Sequence, residues 1–292
     1  MKIRSFLILG LSVIFLSFNT ICSAGQTIIA RKTAQAPVID GATGDAAWAQ
    51  AQPIITHDNT ANIDMTLKAV YTDTEIFFLV EFADPEASLT HRTWFWDKTE
   101  EIYRVGPDRE DTFVFKWNME DHPVDLSLKT NNSYMADIWF WKACRTDPVG
   151  YADDKYQRFS NSEMPKSNII NLESGKKMYL IRKGDSGTPA FKENIYGEYA
   201  GEKTACYTNV VPTGSLADIK AKGVWSGGKW TIEFKRVLDT KHEDDVQFDI
   251  AKTYLFGVSR HEIAGRPADP KLEQPLYGAG DISEELTLQF AQ

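Results

Sequence analysis

Cysteine and histidine are scarce in this chain, and several common site patterns are missing. The 292 residues include three cysteines and five histidines. There is no Cys-x-x-Cys-His motif, which argues against a covalently attached c-type haem. No His-x-x-His pair or cysteine cluster indicates zinc or an iron–sulfur cluster. Because a Gly-x-Ser-x-Gly element and a nucleophile–base set are missing too, we expect no independent catalytic site in this chain.

Basic residues are fewer than acidic ones. The chain has 32 Lys and Arg against 41 Asp and Glu, and its net charge is −9. Binding of nucleic-acid phosphates needs a basic surface. We therefore expect no nucleic-acid partner.

Only one stretch of the chain is strongly apolar, the run from Phe6 to Phe18. It is too short to span a bilayer comfortably. It follows a basic start and precedes Cys22-Ser23-Ala24, and these are the three parts of a cleavable secretory signal. We therefore expect residues 1–24 to be removed, and residues 25–292 to form one periplasmic domain without a membrane span. A lipid anchor on Cys22 is the alternative.

Two cysteines, Cys144 and Cys206, remain after that cleavage. In an oxidising compartment an even pair predicts a disulfide first, although sequence cannot test the distance between the two residues.

Alternation of apolar and polar residues predicts β-strands along most of the chain. β-branched and aromatic residues dominate these segments, and turn residues separate them. The pattern predicts an all-β fold, a two-sheet antiparallel immunoglobulin-like sandwich. The polar stretch 151–213 is expected to be a long, loop-rich insertion. The strongest strand candidates are Thr66–Tyr71, Glu75–Phe82, Thr112–Trp117, Lys229–Phe234, Thr253–Val258 and Glu285–Phe290.

Two blocks of sequence carry a family resemblance. Ala36-Pro37-Val38-Ile39-Asp40-Gly41, followed by Asp45-Ala46-Ala47-Trp48, resembles the opening of the sandwich shared by family 9 carbohydrate-binding modules and DOMON-like domains. The block Asp137–Ala143, with its Trp-x-Trp-Lys-Ala core, resembles the ethylbenzene-dehydrogenase-type haem-binding domain, a family that includes haem subunits and cytochromes. The order of the elements supports this second resemblance over residues 36–290.

The resemblance implies a b-type haem held noncovalently between loops at one end of the sandwich. In that case Trp139, Trp141 and Lys142 are the expected cofactor-binding residues, and alternation places both tryptophan rings on one face of the strand. The family's function implies electron transfer. Expected partners are a molybdenum catalytic subunit with an iron–sulfur subunit, or a periplasmic cytochrome.

The resemblance also implies axial ligands, a Met opposite a Lys or a His. Met119 is the first candidate, since it shortly precedes a Pro-Val pair, and Met135 is the second. His261 and Lys271 are the candidates for the opposite ligand, because relatives place it ahead of the last strand. His122 is an alternative ligand. A packing role is the alternative for each Met.

Two other interpretations stay open. Asp147, Asp153 and Asp154 are close in sequence, but their spacing does not match a calcium loop, so we expect carboxylates that cap backbone amides near Arg145. The aromatic residues around positions 94–96 and 139–141 are also compatible with a haemless module that binds carbohydrate or protein, its sugar contacts made by Trp139 or Trp141.

Overall fold

The structure is a computed structural model that describes residues 25–59, 61–128, 130–172, 174–260 and 282–291. Within these ranges the chain forms twenty β-strands, one short α-helix, α1 (Ala46–Gln50), and two 3-10 turns, Asp147–Val149 and Ser215–Ala217. Among the described residues, no helix is long and apolar enough to cross a membrane.

The first half of the chain contributes strands β1 (Thr27–Lys32), β2 (Ile54–Asp58), β3 (Ile63–Tyr71), β4 (Glu75–Ala83), β5 (Trp94–Asp97), β6 (Ile102–Val105), β7 (Thr112–Asn118) and β8 (Tyr134–Lys142). The second half contributes β9 (Asp153–Ser160), β10 (Asn168–Asn171), β11 (Lys177–Gly184), β12 (Gly187–Thr188), β13 (Phe191–Glu193), β14 (Lys203–Thr204), β15 (Tyr207–Asn209), β16 (Thr213–Gly214), β17 (Lys220–Ser226), β18 (Lys229–Val237), β19 (Tyr254–Ser259) and β20 (Leu286–Phe290).

Two sheets form the body of the molecule, as predicted. Sheet I has the order β10-β11-β9-β8-β7-β19-β20-β1, and sheet II has the order β1-β3-β4-β18-β17, with β2 also paired to β3. Strand β1 belongs to both sheets, because its first residues pair with β20 and Arg31 and Lys32 pair with β3. Both pairings of β1 are parallel, whereas the other strand pairs of the two sheets are antiparallel.

Strand β17, the free edge of sheet II, also contacts the segment that leads into β9 of sheet I. Tyr151 forms a bridge with Lys220, and the backbone N–H of Ala152 donates to the carbonyl of Ile219 at 3.1 Å. Each side of the sandwich therefore has a backbone connection, which leaves fewer exposed strand edges for pairing with other chains.

An aromatic core lies between the sheets. Phe78 of sheet II packs against Phe115 of sheet I, with ring centroids 4.9 Å apart, and Trp117 and Trp139 extend the same cluster. The intervening residues of β7 and β8 face the other side of sheet I, where the loop after β7 covers them. Burial on both faces explains why β7 has hardly any exposed residue.

The N-terminal motif is fixed by one buried carboxylate. Glu233 accepts hydrogen bonds from the indole Nε1 of Trp48 at 2.7 Å, the backbone N–H of Gly41 at 2.8 Å and that of Asp40 at 3.0 Å. Gly41 has φ of +82° and lies against Val224, so a side chain there would clash. This motif therefore serves the fold and lies outside any cavity described below.

The predicted insertion is more regular than its composition indicates. Its first part forms β9, β10 and β11, which extend sheet I, and only the part from Gly187 onward is built of short strand pairs. Tyr156 and Lys183 face solvent on this extension while Phe159 and Leu180 are buried. A half-exposed sheet edge carries many polar residues, which is why the segment resembles a loop in sequence.

Candidate functional site

Met119 and Met135 lie together in the backbone but face different cavities. The N–H of Met119 donates to the carbonyl of Met135 at 3.1 Å, directly after β7 ends. Met119 lines a cavity of about 660 Å³ with His122, Lys252 and Tyr254, whereas Met135 lines one of about 690 Å³ with Arg158 and His242. The two candidate sulfur ligands therefore do not form one site.

The cavity beside Met119 is rich in carboxylates. Its walls include Glu120, Asp121, Glu243 and Asp245, and its cationic groups are few. His122 is largely exposed and pairs with Asp121 at 2.8 Å. The surroundings of Met119 therefore favour cations over anionic groups.

Trp139 and Trp141 fill the core between the sheets. Trp139 packs against Phe115 and Trp117, with centroids 5.6 and 5.4 Å away. Trp141 donates from Nε1 to Asp147 at 2.9 Å and packs edge-on against Trp230. Both side chains are completely buried. The expectation that they could stack on a sugar is therefore wrong, since a sugar cannot reach them.

Lys142 points to the face of β8 opposite the two tryptophans. It is buried, forms an ion pair with Asp153, and its Nζ lies 4.5 Å from the ring centroid of Phe140. Burial would raise the pKa of Asp153, but the charges of Lys142 and Lys155 lower it below its ordinary value. Lys142 is thus placed away from both tryptophans by the alternation of the strand.

Asp147 and Asp153 are structural, as expected, but the amides near Arg145 are capped by another residue. Asp147 accepts from the backbone N–H of Gly223 at 2.6 Å, in addition to Trp141. Glu110 instead accepts from the backbone N–H groups of Cys144 and Arg145, at 2.7 and 2.9 Å.

A third cavity, of about 670 Å³, opens at the other end of the sandwich. It is lined by Leu89, His91, Ala143, Cys144, Cys206 and Tyr207, and by the cationic Lys203 and Lys222. The second half of the insertion forms one of its walls, because β14 and β15 flank Cys206. The predicted proximity of Cys144 and Cys206 was the one indication of this cavity in the sequence, since its other residues come from widely separated segments.

His91 is a neutral imidazole on the wall of that cavity. Its side chain is only 13% exposed, and Nδ1 lies 3.4 Å from Glu110 Oε1. Burial, together with the charges of Arg145 and Arg109, lowers the pKa of His91 to about 2. The backbone N–H of Glu110 also donates to Nδ1, at 3.5 Å. A metal at Nε2 would need the other tautomer, in which Nδ1 donates to the Glu110 carboxylate.

The predicted disulfide between Cys144 and Cys206 is not formed. Both residues line the same cavity as free thiols. The Cys206 thiol lies 3.7 Å from Glu193 Oε1. Burial raises the pKa of Cys144 to about 11, with the charge of Glu110 adding to the effect. Each cysteine is therefore held as a protonated thiol.

The candidate ligands His261 and Lys271 lie outside the described residues. Arg260, which directly precedes His261, is buried at the His91 end, where its guanidinium binds Asp84 and Asp111. The neighbouring Ser259 pairs with Val114, five residues before Met119. At about 3.3 Å per residue, this places the start of the C-terminal segment roughly 17 Å from Met119 along the sheet.

A buried acidic cluster is the main feature that the sequence did not reveal. Asp137, Asp154 and Asp245 each have a carboxylate oxygen within 4.8 Å of the others, and Asp185 lies beside Asp154. Arg236 is the cation among them, 2.7 Å from Asp137. One signal was present, because Asp137 occupies the inward-facing position two residues before Trp139.

Comparison with known proteins gives one family match. The family described as ethylbenzene dehydrogenase matches residues 33–266. Among solved structures, similar chains are two complexes of a carbohydrate binding module family 9 from Caldicellulosiruptor kristjanssonii, with cellotriose and with glucose. Both are 12% identical, with TM-scores of 0.39 and 0.38; the alignments cover 91% and 90% of this chain and 95% and 96% of those chains. No curated protein matched the sequence.

Proposed function

The chain belongs to the ethylbenzene dehydrogenase family, which matches most of its length, and on this premise we propose that it is an exported haem b protein that transfers electrons. Its partners would be a molybdenum catalytic subunit with an iron–sulfur subunit, or a periplasmic cytochrome. A bound haem would supply one-electron transfer, because an iron with two protein ligands has no open position for a substrate.

The observation that carries the proposal is the neutral His91 on the wall of the 670 Å³ cavity. A haem needs a ligand that binds iron without losing a proton, apolar walls, and cations for its propionates. His91 provides the first, and Leu89 and Ala143 contribute to the second. Lys203 provides the third, while Lys222 is paired with Asp147 of the same cavity at 2.6 Å. The residues of this cavity therefore fit a haem.

The position of Arg260 agrees with this choice, because it lies at the end of the sandwich that holds His91. His261 follows Arg260 directly, and we propose it as the second ligand, with Lys271 as the alternative.

A ligand set around Met119 is the competing proposal. The many carboxylates in its cavity would repel propionates. Arg260, the residue before His261, lies roughly 17 Å from Met119 along the sheet, so we pair His261 with His91 rather than with Met119.

The primary test is the visible spectrum. Full-length protein expressed with export, or purified protein supplied with haemin, is expected to show a Soret band that shifts on reduction with dithionite. Acid acetone is expected to extract the pigment. If haemin-treated protein shows no Soret band beyond that of free haemin, the proposal is wrong.

A second candidate function is binding of glycan, favoured by one surface feature. Trp96 packs edge-on against Tyr103 and Tyr199, with centroids 5.0 and 5.2 Å away, and Tyr199 is 56% exposed. Partly exposed aromatic rings of this kind can stack on sugars. Retention on insoluble polysaccharide that is lost in Trp96→Ala, in protein without haem, would favour this function over electron transfer.

A further inference from the structure

The acidic cluster joins three separate parts of the sandwich. Asp137 comes from β8, Asp154 from β9, and Asp245 from the segment between β18 and β19. Asp137 and Asp154 are completely buried and Asp245 is 5% exposed. Their carboxylate oxygens converge within 4.8 Å, although Asp245 is far from both in sequence.

Positive charge is insufficient inside the cluster. Arg236 contacts Asp137 at 2.7 Å and lies 3.8 Å from Asp245. The buried Asp185, beside Asp154, adds a fourth carboxylate. Four carboxylates thus surround one guanidinium group among the described residues. Unpaired charges in a low-dielectric interior are strongly unfavourable.

Hydrogen bonds do not compensate for this imbalance. Among the described residues, neither oxygen of Asp154 accepts a hydrogen bond from an N–H or hydroxyl group. Asp185 contacts the Asp154 carboxyl, and Asp245 has Thr240 beside it. Other buried acids of this protein are well satisfied: Glu233 accepts three hydrogen bonds, and Asp111 accepts from Ser88 and Trp230. The unpartnered oxygens of Asp154, which is 0% exposed, therefore point to a missing ligand.

Two ligands could neutralise the cluster: protons or a metal ion. Burial and the neighbouring acids raise the pKa of Asp154 well above its ordinary value, and that of Asp185 to about 8. At neutral pH, protons could therefore neutralise part of this charge. A bound cation would neutralise it over a wider pH range, and it would also use the lone pairs for which the described residues offer no hydrogen-bond donor.

We propose that Asp137, Asp154 and Asp245 bind a divalent cation of the calcium type between the two sheets. Carboxylate oxygens are the preferred ligands of Ca²⁺, and no sulfur or imidazole belongs to this set. The ion would connect β8, β9 and the segment before β19, so its role is to stabilise the fold. Asp245 also lines the cavity beside Met119, which provides a route for the ion from solvent.

A neighbouring set, Asp218, His242 and Asp245, is the weaker candidate. His242 Nδ1 already pairs with Asp218 at 2.6 Å, and both residues are partly exposed. The proposed calcium site includes neither Asp218 nor His242, and it does not depend on whether the chain binds haem.

The first experiment measures calcium binding by the full chain after treatment with EDTA and dialysis. Calorimetric titration with CaCl₂ is expected to show one equivalent bound, and 1 mM Ca²⁺ is expected to raise Tm by about 5 °C or more. Asp154→Asn should weaken binding by about tenfold or more, while Asp73→Asn, in an exposed turn that pairs with Lys32, should bind as the wild type does. Absence of stoichiometric binding together with an unchanged Tm would overturn the proposal.

A second measurement does not depend on whether a variant folds. Trp139 lies against Arg236, 4.8 Å from the guanidinium carbon to the ring, and Arg236 contacts Asp137. Tb³⁺ bound by the cluster of the wild-type chain is therefore expected to luminesce on tryptophan excitation, and Ca²⁺ should displace it. Luminescence that is absent, or that Ca²⁺ does not reduce, would contradict the site.

Discussion

Arg260 and Met119 lie at opposite ends of the sheet that they share. The pairing of Ser259 with Val114 and of Phe256 with Trp117 determines this separation. Arg260, the last described residue before position 261, therefore lies at the end of the sandwich that holds His91 and away from Met119. The register between β7 and β19 thus separates Met119 from Arg260, the residue before the candidate ligand His261.

The proposed ligand His91 can be tested against Met119 by substitution. In haem-loaded protein, His91→Ala is expected to lose most of the haem or to convert the spectrum to a high-spin form, since one axial bond is removed. Met119→Leu should leave the spectrum unchanged. His57→Ala, which removes an exposed histidine paired with Asp64, is the control. If the spectrum changes in Met119→Leu and not in His91→Ala, the haem binds at the Met119 end of the sandwich and the proposed ligand is wrong.

The two thiols are expected to be unreactive in the folded protein. Burial raises the pKa of Cys144 to about 11 and also raises that of Cys206. The thiolate is the reactive species, so at pH 7 a thiol reagent such as DTNB should modify both cysteines slowly in native protein and quickly in denaturant. Mass spectrometry that finds the two cysteines joined in protein purified without reductant would contradict the free-thiol state.

Removal of the Glu233 carboxylate is expected to destabilise the fold. Glu233→Ala leaves the indole of Trp48 and two backbone N–H groups without an acceptor, which should lower the free energy of unfolding by about 2–4 kcal/mol. Glu81→Ala, on the same sheet but in a partly exposed pair with Lys229, should change it by less than about 1 kcal/mol. Urea unfolding of the two variants measures the difference. Equal effects would show that the hydrogen bonds to Glu233 contribute little.

Without metal, the stability of the protein is expected to fall as pH rises from about 6.5 to 8. Below that range His91, whose pKa is lowered to about 2, contributes in the opposite direction. Burial, with neighbouring carboxylates, raises the pKa of Asp185 to about 8 and that of Asp245 to about 7 in the folded state. The unfolded chain releases these protons near pH 4. Between the two values the folded state binds more protons, so increasing pH favours unfolding.

Urea unfolding in EDTA at several pH values tests this dependence. The slope should be smaller in Asp185→Asn, which cannot ionise at that position. Added Ca²⁺ should also reduce the slope in the wild type, because a cation replaces the protons. A stability that rises with pH over that range in EDTA would contradict the pKa shifts.

Strand positions were largely predictable from the sequence. Alternation located β3, β4, β7, β18, β19 and β20, because each has one face in the core. The family resemblance carried by the Trp-x-Trp-Lys-Ala block is confirmed by the family match. Alternation succeeded less well for β9 and β10, where a partly exposed sheet extension has a polar composition.

What the sequence by itself determined is the all-β class, the two-sheet arrangement and the family, since these follow from local periodicity and short motifs. Tertiary structure alone decided which candidate residues meet. The end of the sandwich at which Met119 lies depends on strand register, and the convergence of Asp137, Asp154 and Asp245 depends on the packing of three distant segments. Local patterns carry no information about such pairings, because register and sheet order arise from contacts across the whole chain.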